Sequence, residues 1–280
     1  MTRSFRKIAR QIRHLPGLEK LDFIWDAIRG PYEALIDSGG KGVVVEIGGR
    51  APVRVPIRYA KGGWENYETK TIEVFHDWCL RHPEAVILDV GSSTGIFTAA
   101  ALGAHSKNEV IAFDADAKSL NILLDFCRLV AGNRLTVVRG LITSSPKNRA
   151  NLAEAVAESQ KYLHGSEEPD AEINYICLGQ EGAAGIPEYS LDRLLEGFDL
   201  RGRPLMVKVD VEGAELLVLQ GARQLLRRQR PALLLEVHAD FLPRHGQSQK
   251  DLEEFMKEEQ YQHRLVAIDY QQHWLCLPNK

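Results

Sequence analysis

From Ala85 onward the chain repeats one unit: a short apolar, β-branched run followed by a stretch with helical spacing. The runs are "AVILDV", "EVIAFD", "RLTVVRG", "LMVKVD" and "ALLLEV". Each is largely apolar, with polar or acidic residues gathered toward its C-terminal end, as expected of parallel strands covered on both faces. Stretches at 96–105, 118–131, 214–228 and 249–259 supply the helical crossovers such strands require. Two further runs, "HRLVAID" and "HWLCL", are joined only by "YQQ". That linker cannot hold a helix, so these two should pair antiparallel. The pattern predicts an α/β chain whose parallel sheet ends in an antiparallel hairpin.

The chain before this repeat reads differently. Arg3, Arg6, Lys7, Arg10 and Arg13 alternate with Phe5, Ile8 and Ile12 at helical spacing, and Pro16-Gly17 ends the run. A basic amphipathic helix can lie on an anionic membrane; the expectation for this one is the commoner case, packing on its own domain. A second helical stretch covers 18–28, and "KGVVVEIGGRAPVRVPIRYA" reads as two strands about Gly48-Gly49. Residues 1–64 are therefore expected to form a helical and β-hairpin extension, and 65–280 the main domain. Within the latter, an insertion at about 144–190 holds a helical piece at 149–163 and a candidate strand, "EINYICLG". An insertion of this size usually makes a lid or a substrate wall.

Composition narrows the function classes. A formal net charge of -3 gives no long-range attraction to nucleic acid. Cys79, Cys127, Cys177 and Cys276 are scattered, without zinc spacing, and read as buried thiols of a reducing cytoplasm. No apolar run approaches the roughly 20 residues that span a bilayer, and the start of the chain lacks the apolar core of a secretory signal. A cytoplasmic protein is expected.

The chemistry is concentrated where the first parallel strand turns into its helix, in "VILDVGSSTGIFTAAAL". Ligands of an open parallel sheet bind beyond the carboxyl ends of its strands, and Asp89, Gly91 and Gly95 lie there. Glycine lets backbone approach a ligand and adopt positive φ. A dinucleotide loop would read GxGxxG, with pyrophosphate on the helix N-terminus. This loop reads DxGxxxG, and its carboxylate would repel pyrophosphate but accept hydrogen bonds from an ammonium group. That favours S-adenosylmethionine over a nicotinamide cofactor. Asp114 ends the next strand, in "FDADA", where an acid can accept both hydroxyls of a ribose. An acid at that place can also be a plain helix cap; the two motifs in this order carry more weight than either alone.

These motifs resemble those of class I S-adenosylmethionine-dependent methyltransferases, and specifically the FkbM-type family, over about residues 67–240. The resemblance rests on Tyr67-Glu68, "ILDVGSSTGIFT", "VIAFDAD", "SLDRLL", "LMVKVDVEGAELLVLQGA" and "RPALLLEVH", of which the last two blocks are the most specific. It implies a Rossmann-like, doubly wound, seven-stranded methyltransferase sheet and methyl transfer to a hydroxyl of a sugar, polyketide or similar small metabolite. It also implies that Glu68, Ser92, Ser93, Ala115 and Asp210 join Asp89, Gly91, Gly95 and Asp114 around the cofactor. The family usually carries Ala-Asn where Ser92-Ser93 stand, and Glu-Pro where Asp114-Ala115 stand; both departures keep a polar loop and an acid.

Methyl transfer to oxygen needs an aligned hydroxyl and a group to take its proton. "KVDVEGAE" offers Lys208, Asp210, Glu212 and Glu215 at the end of the fourth strand, with Lys208 and Asp210 on one face. Asp210 is the expected base or positioning group. Lys208 either orients substrate or pairs with Asp210, and Glu212 either acts in the site or caps the following helix. In "LLLEVHAD", Glu236 and His238 share a face; His238 is the alternative base. Asp210, Glu236 and His238 could also collect a divalent cation, although no spacing requires one and a metal is not favoured. Trp64 and Tyr67 are candidates for a pocket floor. Two other functions remain open: an NAD(P)-dependent oxidoreductase, and a catalytically silent nucleoside-binding relative. The expected partner is a small hydroxylated acceptor rather than nucleic acid, and a homodimer is compatible with the sequence.

Overall fold

The computed structural model describes residues 22–38, 41–165, 167, 171–179, 181–198, 200 and 202–279, so the basic stretch at 3–13 lies outside the described residues. The first element, α1 (Asp22–Asp37), continues past the expected end at Ile28 and through Pro31. Its last residue explains the extension: the Asp37 carboxylate accepts the Ile57 N–H at 3.0 Å and pairs with Arg128. Strands β1 (Val43–Ile47) and β2 (Ala51–Val55) form the expected antiparallel hairpin. Helix α2 (Thr69–Arg81) then leads into the sheet.

The sheet alternates with helices as the sequence pattern requires. In chain order it comprises β3 (Val86–Val90), α3 (Ile96–Ala104), β4 (Glu109–Asp114), α4 (Ala117–Cys127) and β5 (Leu135–Arg139). A strap of β6 (Leu141–Ile142), α5 (Leu152–Ser159), β7 (Glu188–Tyr189) and α6 (Leu191–Leu194) follows. The rest is β8 (Leu205–Val209), α7 (Glu215–Gln220), α8 (Arg223–Gln229), β9 (Ala232–Val237), α9 (Gln249–Glu258), β10 (Tyr261–Asp269) and β11 (Gln271–Pro278). The seven strands run in the order β10-β11-β9-β8-β3-β4-β5. All neighbours from β9 to β5 are parallel, whereas β11 runs antiparallel to β9 and to β10.

Strand parity decides what each face buries. Val86, Leu88 and Val90, with Leu205, Val207 and Val209 and with Leu233, Leu235 and Val237, pack on helices α7 to α9. Ile87, Met206 and Leu234 face the opposite way, onto α2 to α4 and the β1–β2 hairpin, through Phe75, Phe97, Phe126 and Val53. By the same alternation Asp89, Lys208, Glu236 and His273 face this second side, and His273 pairs across the sheet with Glu236. These four ionisable side chains are thus delivered to one face.

Three local expectations are corrected. "EINYICLG" forms no strand: residues 171–177 are irregular, and the Asn174 N–H bonds to the Asp116 carboxylate at 3.3 Å rather than to a strand neighbour. The helix expected over 214–228 is two helices, because β6–β7 cross it. A Cβ at Gly221 would collide with the Thr143 carbonyl, and Asp192 accepts the Gln224 and Leu225 N–H groups at 2.9 and 2.8 Å, restarting the chain as α8. Glu212 and Gly213 do not open a helix; α7 begins at Glu215. All four cysteines are free and buried. Among the described residues no helix is long and apolar enough to cross a membrane.

Candidate active site

Strand order reverses at β3, whose neighbours β4 and β8 lead the chain away in opposite directions. A cavity of about 230 Å³ opens at the carboxyl ends of these strands, the place where open α/β sheets bind ligands. Its walls are Gly91 and Ser93 after β3, Asp114 and Ala115 at the end of β4, and Asp210, Glu212 and Glu236 from β8 and β9. Tyr67 and Glu68 close one side, and residues 173–178 close another. The segment misread as a strand is therefore the pocket wall. The signal available in the sequence was the length of the insertion, not its apolar pattern.

On the β3–β4 side the carboxylates are held by backbone. Asp114 accepts the Ser93 N–H at 2.8 Å and the Asp116 N–H at 2.9 Å. Ser93 reaches this position with φ 46°, in the left-handed region. Burial pushes the Asp114 carboxyl up to about 6, despite these two donors. Asp116 caps α4 by accepting the Ser119 N–H at 3.1 Å. Gly91 (φ 78°) has little freedom: a Cβ there would overlap the Asp210 carbonyl. The glycine that sequence reasoning assigned to ligand approach thus also lets the β3 and β8 loops cross.

Three expected cofactor residues, Asp89, Ser92 and Gly95, do not line the cavity. Asp89 is 1% exposed; it accepts the Thr98 hydroxyl at 2.6 Å, and its other oxygen sits 3.8 Å from Lys208 Nζ. Ser92 is buried beside it in sequence, and its hydroxyl has no partner among the described residues. Gly95 is spent on packing against Leu123. Trp64 is not on the floor either; it packs on Phe126 and donates to the Tyr59 carbonyl at 2.6 Å. Glu68 is on the wall, with φ 37°; its buried Oε2 accepts no hydrogen bond among the described residues and lies 3.8 Å from His273 Nδ1.

On the β8–β9 side the ionisable groups face one another. Lys208, 5% exposed, donates to Asp210 at 3.0 Å and lies 4.7 Å above the Phe97 ring. Burial alone would lower the Lys208 pKa; Asp210 and Asp89 outweigh it and raise it. Burial alone would raise Asp210; Lys208 and His238 outweigh it, so Asp210 stays ionised. Glu236 is pushed up to about 8, first by burial and then by the Asp210 charge. His238 is pushed up to about 9: burial opposes the charge, but Glu215, Asp210 and Glu212 more than compensate.

Glu215, offered by the sequence among the acids after the fourth strand but without a specific role, organises this side. Fully buried, it accepts the Gly213 N–H at 2.9 Å and meets His238 Nδ1 at 2.7 Å. Gly213 has φ 104°, and a Cβ there would sit 2.6 Å from that of Phe241, so the turn carrying Glu212 past β8 needs glycine. Glu212 itself has φ 52° and stands with its carboxylate 3.4 Å from His238 Nε2.

Residues 89–263 match the sequence profile of the methyltransferase FkbM domain. The chain belongs to the FkbM methyltransferase family. The matched segment runs from Asp89 into β10 and so includes both halves of the cavity, although Tyr67 and Glu68 lie before it. No curated protein sequence matches the chain. Among solved structures it is similar to the methyltransferase FkbM from Methylobacillus flagellatus KT, with 14% identity, 99% of this chain and 77% of that one covered, and a TM-score of 0.46. It is also similar to precorrin-6y C5,15-methyltransferase from Geobacter metallireducens GS-15, with 11% identity, coverage of 75% and 88%, and a TM-score of 0.41. A SAM-dependent methyltransferase from Aquifex aeolicus shows 11% identity, coverage of 74% and 88%, and a TM-score of 0.40.

Proposed function

We propose that this FkbM-family chain is an S-adenosylmethionine-dependent O-methyltransferase whose acceptor is a hydroxyl of an uncharged small molecule such as a sugar or polyketide. One observation carries the reading. A single cavity joins a backbone-held carboxylate, Asp114, to an ion cluster, Asp210, Glu212 and Glu236, on the opposite wall. The donor set fits an adenosyl amino acid. Asp114 keeps lone pairs for two ribose hydroxyls, and the Glu68 oxygen that accepts no hydrogen bond offers an acceptor to an ammonium group. Gly91, Ser93 and Ala115 supply the wall between them. Asp89 and Ser92 would act from behind it, Asp89 by holding Lys208. The described residues lining the cavity include five acids and neither Lys nor Arg, which speaks against a phosphorylated or nucleic-acid acceptor.

S-adenosylmethionine, when bound, supplies an electrophilic methyl group on a sulfonium. The chain's own residues prepare the oxygen that receives it. Asp210, kept ionised by Lys208, accepts a hydrogen bond from the acceptor hydroxyl and sets its direction. The hydroxyl proton leaves into the carboxylate cluster of Asp210, Glu212 and Glu236. His238, fixed by Glu215, compensates the charge of that cluster. Calorimetric titration with S-adenosylhomocysteine and with NADH tests the cofactor: binding of the first and not the second is expected, and the reverse would point to an oxidoreductase. Labelled methyl transfer to a panel of neutral, amino-bearing and phosphorylated polyols tests the acceptor class, with incorporation expected into neutral members.

A further inference from the structure

We infer that Asp210, Glu236 and His238 form a binding site for one divalent cation of the Mn²⁺ type. His238 Nε2 lies 3.7 Å from Glu236 Oε1 and 3.9 Å from Asp210 Oδ1, and one donor atom from each residue lies within 4.8 Å of the other two. A cation about 2.0–2.3 Å from each donor spans such separations. Two carboxylates with one imidazole suit a cation between the hard, oxygen-only ions and the softer thiolate-seeking ones.

The observation that separates this cluster from an ordinary group of acids is His238. Its side chain is 3% exposed, and Nδ1 is committed to the fully buried Glu215 at 2.7 Å. That contact fixes the ring so that Nε2 points between the carboxylates. The nearest of these, on Glu212, is 3.4 Å away, longer than the 2.7–3.2 Å typical of an N–H···O hydrogen bond. Nε2 thus faces the carboxylates of Glu212, Glu236 and Asp210 at 3.4, 3.7 and 3.9 Å. A buried carboxylate holding the far nitrogen of an imidazole is also the usual support of a metal-ligating histidine. The second oxygen of Asp210 is held by Lys208 at 3.0 Å, which turns Oδ1 toward the same point.

A cation here displaces the protons that the cluster otherwise retains. It would make a hydroxyl bound beside it more acidic, with the proton passing to Glu212, which lines the cavity and is not one of the three ligands. This role rests on the methyl-transfer reading; the binding of the cation does not.

The test uses the full chain stripped with EDTA and desalted, then titrated with Mn²⁺ while the free ion is followed by electron paramagnetic resonance. One ion per chain is expected. Glu236→Gln and His238→Ala should each weaken binding at least tenfold, and Glu215→Gln by about 10–100-fold through His238 alone. Asp77→Asn, an exposed acid paired with Arg50, should bind as the parent does. S-adenosylhomocysteine binding by the same variants shows that the β3–β4 half is intact. No stoichiometric Mn²⁺ binding by a parent that still binds the nucleoside overturns the site, as does unchanged Mn²⁺ affinity in both ligand variants. Loss of nucleoside binding by the parent, with Mn²⁺ still bound, overturns the methyltransferase reading instead.

Discussion

The two sides of the cleft carry similar residues and use them differently. At the ends of β3 and β4, Asp114 and Asp116 are satisfied by backbone N–H groups, each held by a neighbouring turn. At the ends of β8 and β9, Asp210, Glu212 and Glu236 are held chiefly by other charges, those of Lys208 and His238. Backbone donors cannot change their protonation state, so the first side holds its acids in a fixed geometry. Side-chain partners can, so the second side can lose and regain protons. A ligand that only has to be recognised belongs on the first side, and a hydroxyl that must be deprotonated belongs on the second.

This contrast can be broken most completely where the two sides touch. Gly91→Val places a branched side chain against the Asp210 carbonyl in a left-handed conformation. Loss of S-adenosylhomocysteine binding with a lowered melting temperature is expected; a normal melt and normal affinity would mean that the crossing is not tight.

The next effect separates the sides. Asp210→Asn keeps the shape of the side chain but removes its charge. Methyl transfer to the best acceptor of the polyol panel should fall by about 10²–10⁴, while nucleoside affinity stays within a few-fold. Full activity would remove Asp210 from the chemistry and leave Glu236 and His238.

A smaller effect sharpens the recognition side. Asp114, pushed up to about 6, is ionised above that pH and protonated below it. Since only the ionised carboxylate offers all its lone pairs to ribose hydroxyls, S-adenosylhomocysteine affinity should be flat from pH 7 to 8. Below 6 it should fall, approaching tenfold per pH unit at most. Affinity that is unchanged down to pH 5 would argue that Asp114 is not a ligand.

The sequence disclosed the recognition side better than the reacting side, for a physical reason. Asp89, Gly91, Gly95 and Asp114 lie on consecutive strand–helix units, so local spacing alone puts them near one crevice. Even there, Asp89 lies level with Lys208, one pleat short of the strand ends that line the cavity, and binds Thr98 and Lys208 instead, a difference of depth that a loop motif does not reveal. On the other side, alternation within β8 and β9 correctly placed Lys208 with Asp210 and Glu236 with His238. Glu215, however, reaches His238 across 23 positions of sequence, and His273 comes beside Glu236 only through the antiparallel β11. Such partners belong to the tertiary fold and leave no short-range signature. The wall at 173–178 was hidden because it is anchored by single contacts such as Asn174 to Asp116, not by a periodic pattern.

Asp114 is proposed as the ribose-binding carboxylate of a methyl-donor site, and the rest of the mechanism depends on it. Calorimetric titration of the parent and of Asp114→Ala with S-adenosylhomocysteine measures this. The parent should bind one molecule per chain, and the variant should lose about 1.5–3 kcal/mol, or roughly ten- to a hundredfold in Kd, the scale of hydrogen bonds to a charged group. A parent that binds NADH but not S-adenosylhomocysteine, or a folded Asp114→Ala protein that binds the nucleoside as tightly as the parent, would contradict it.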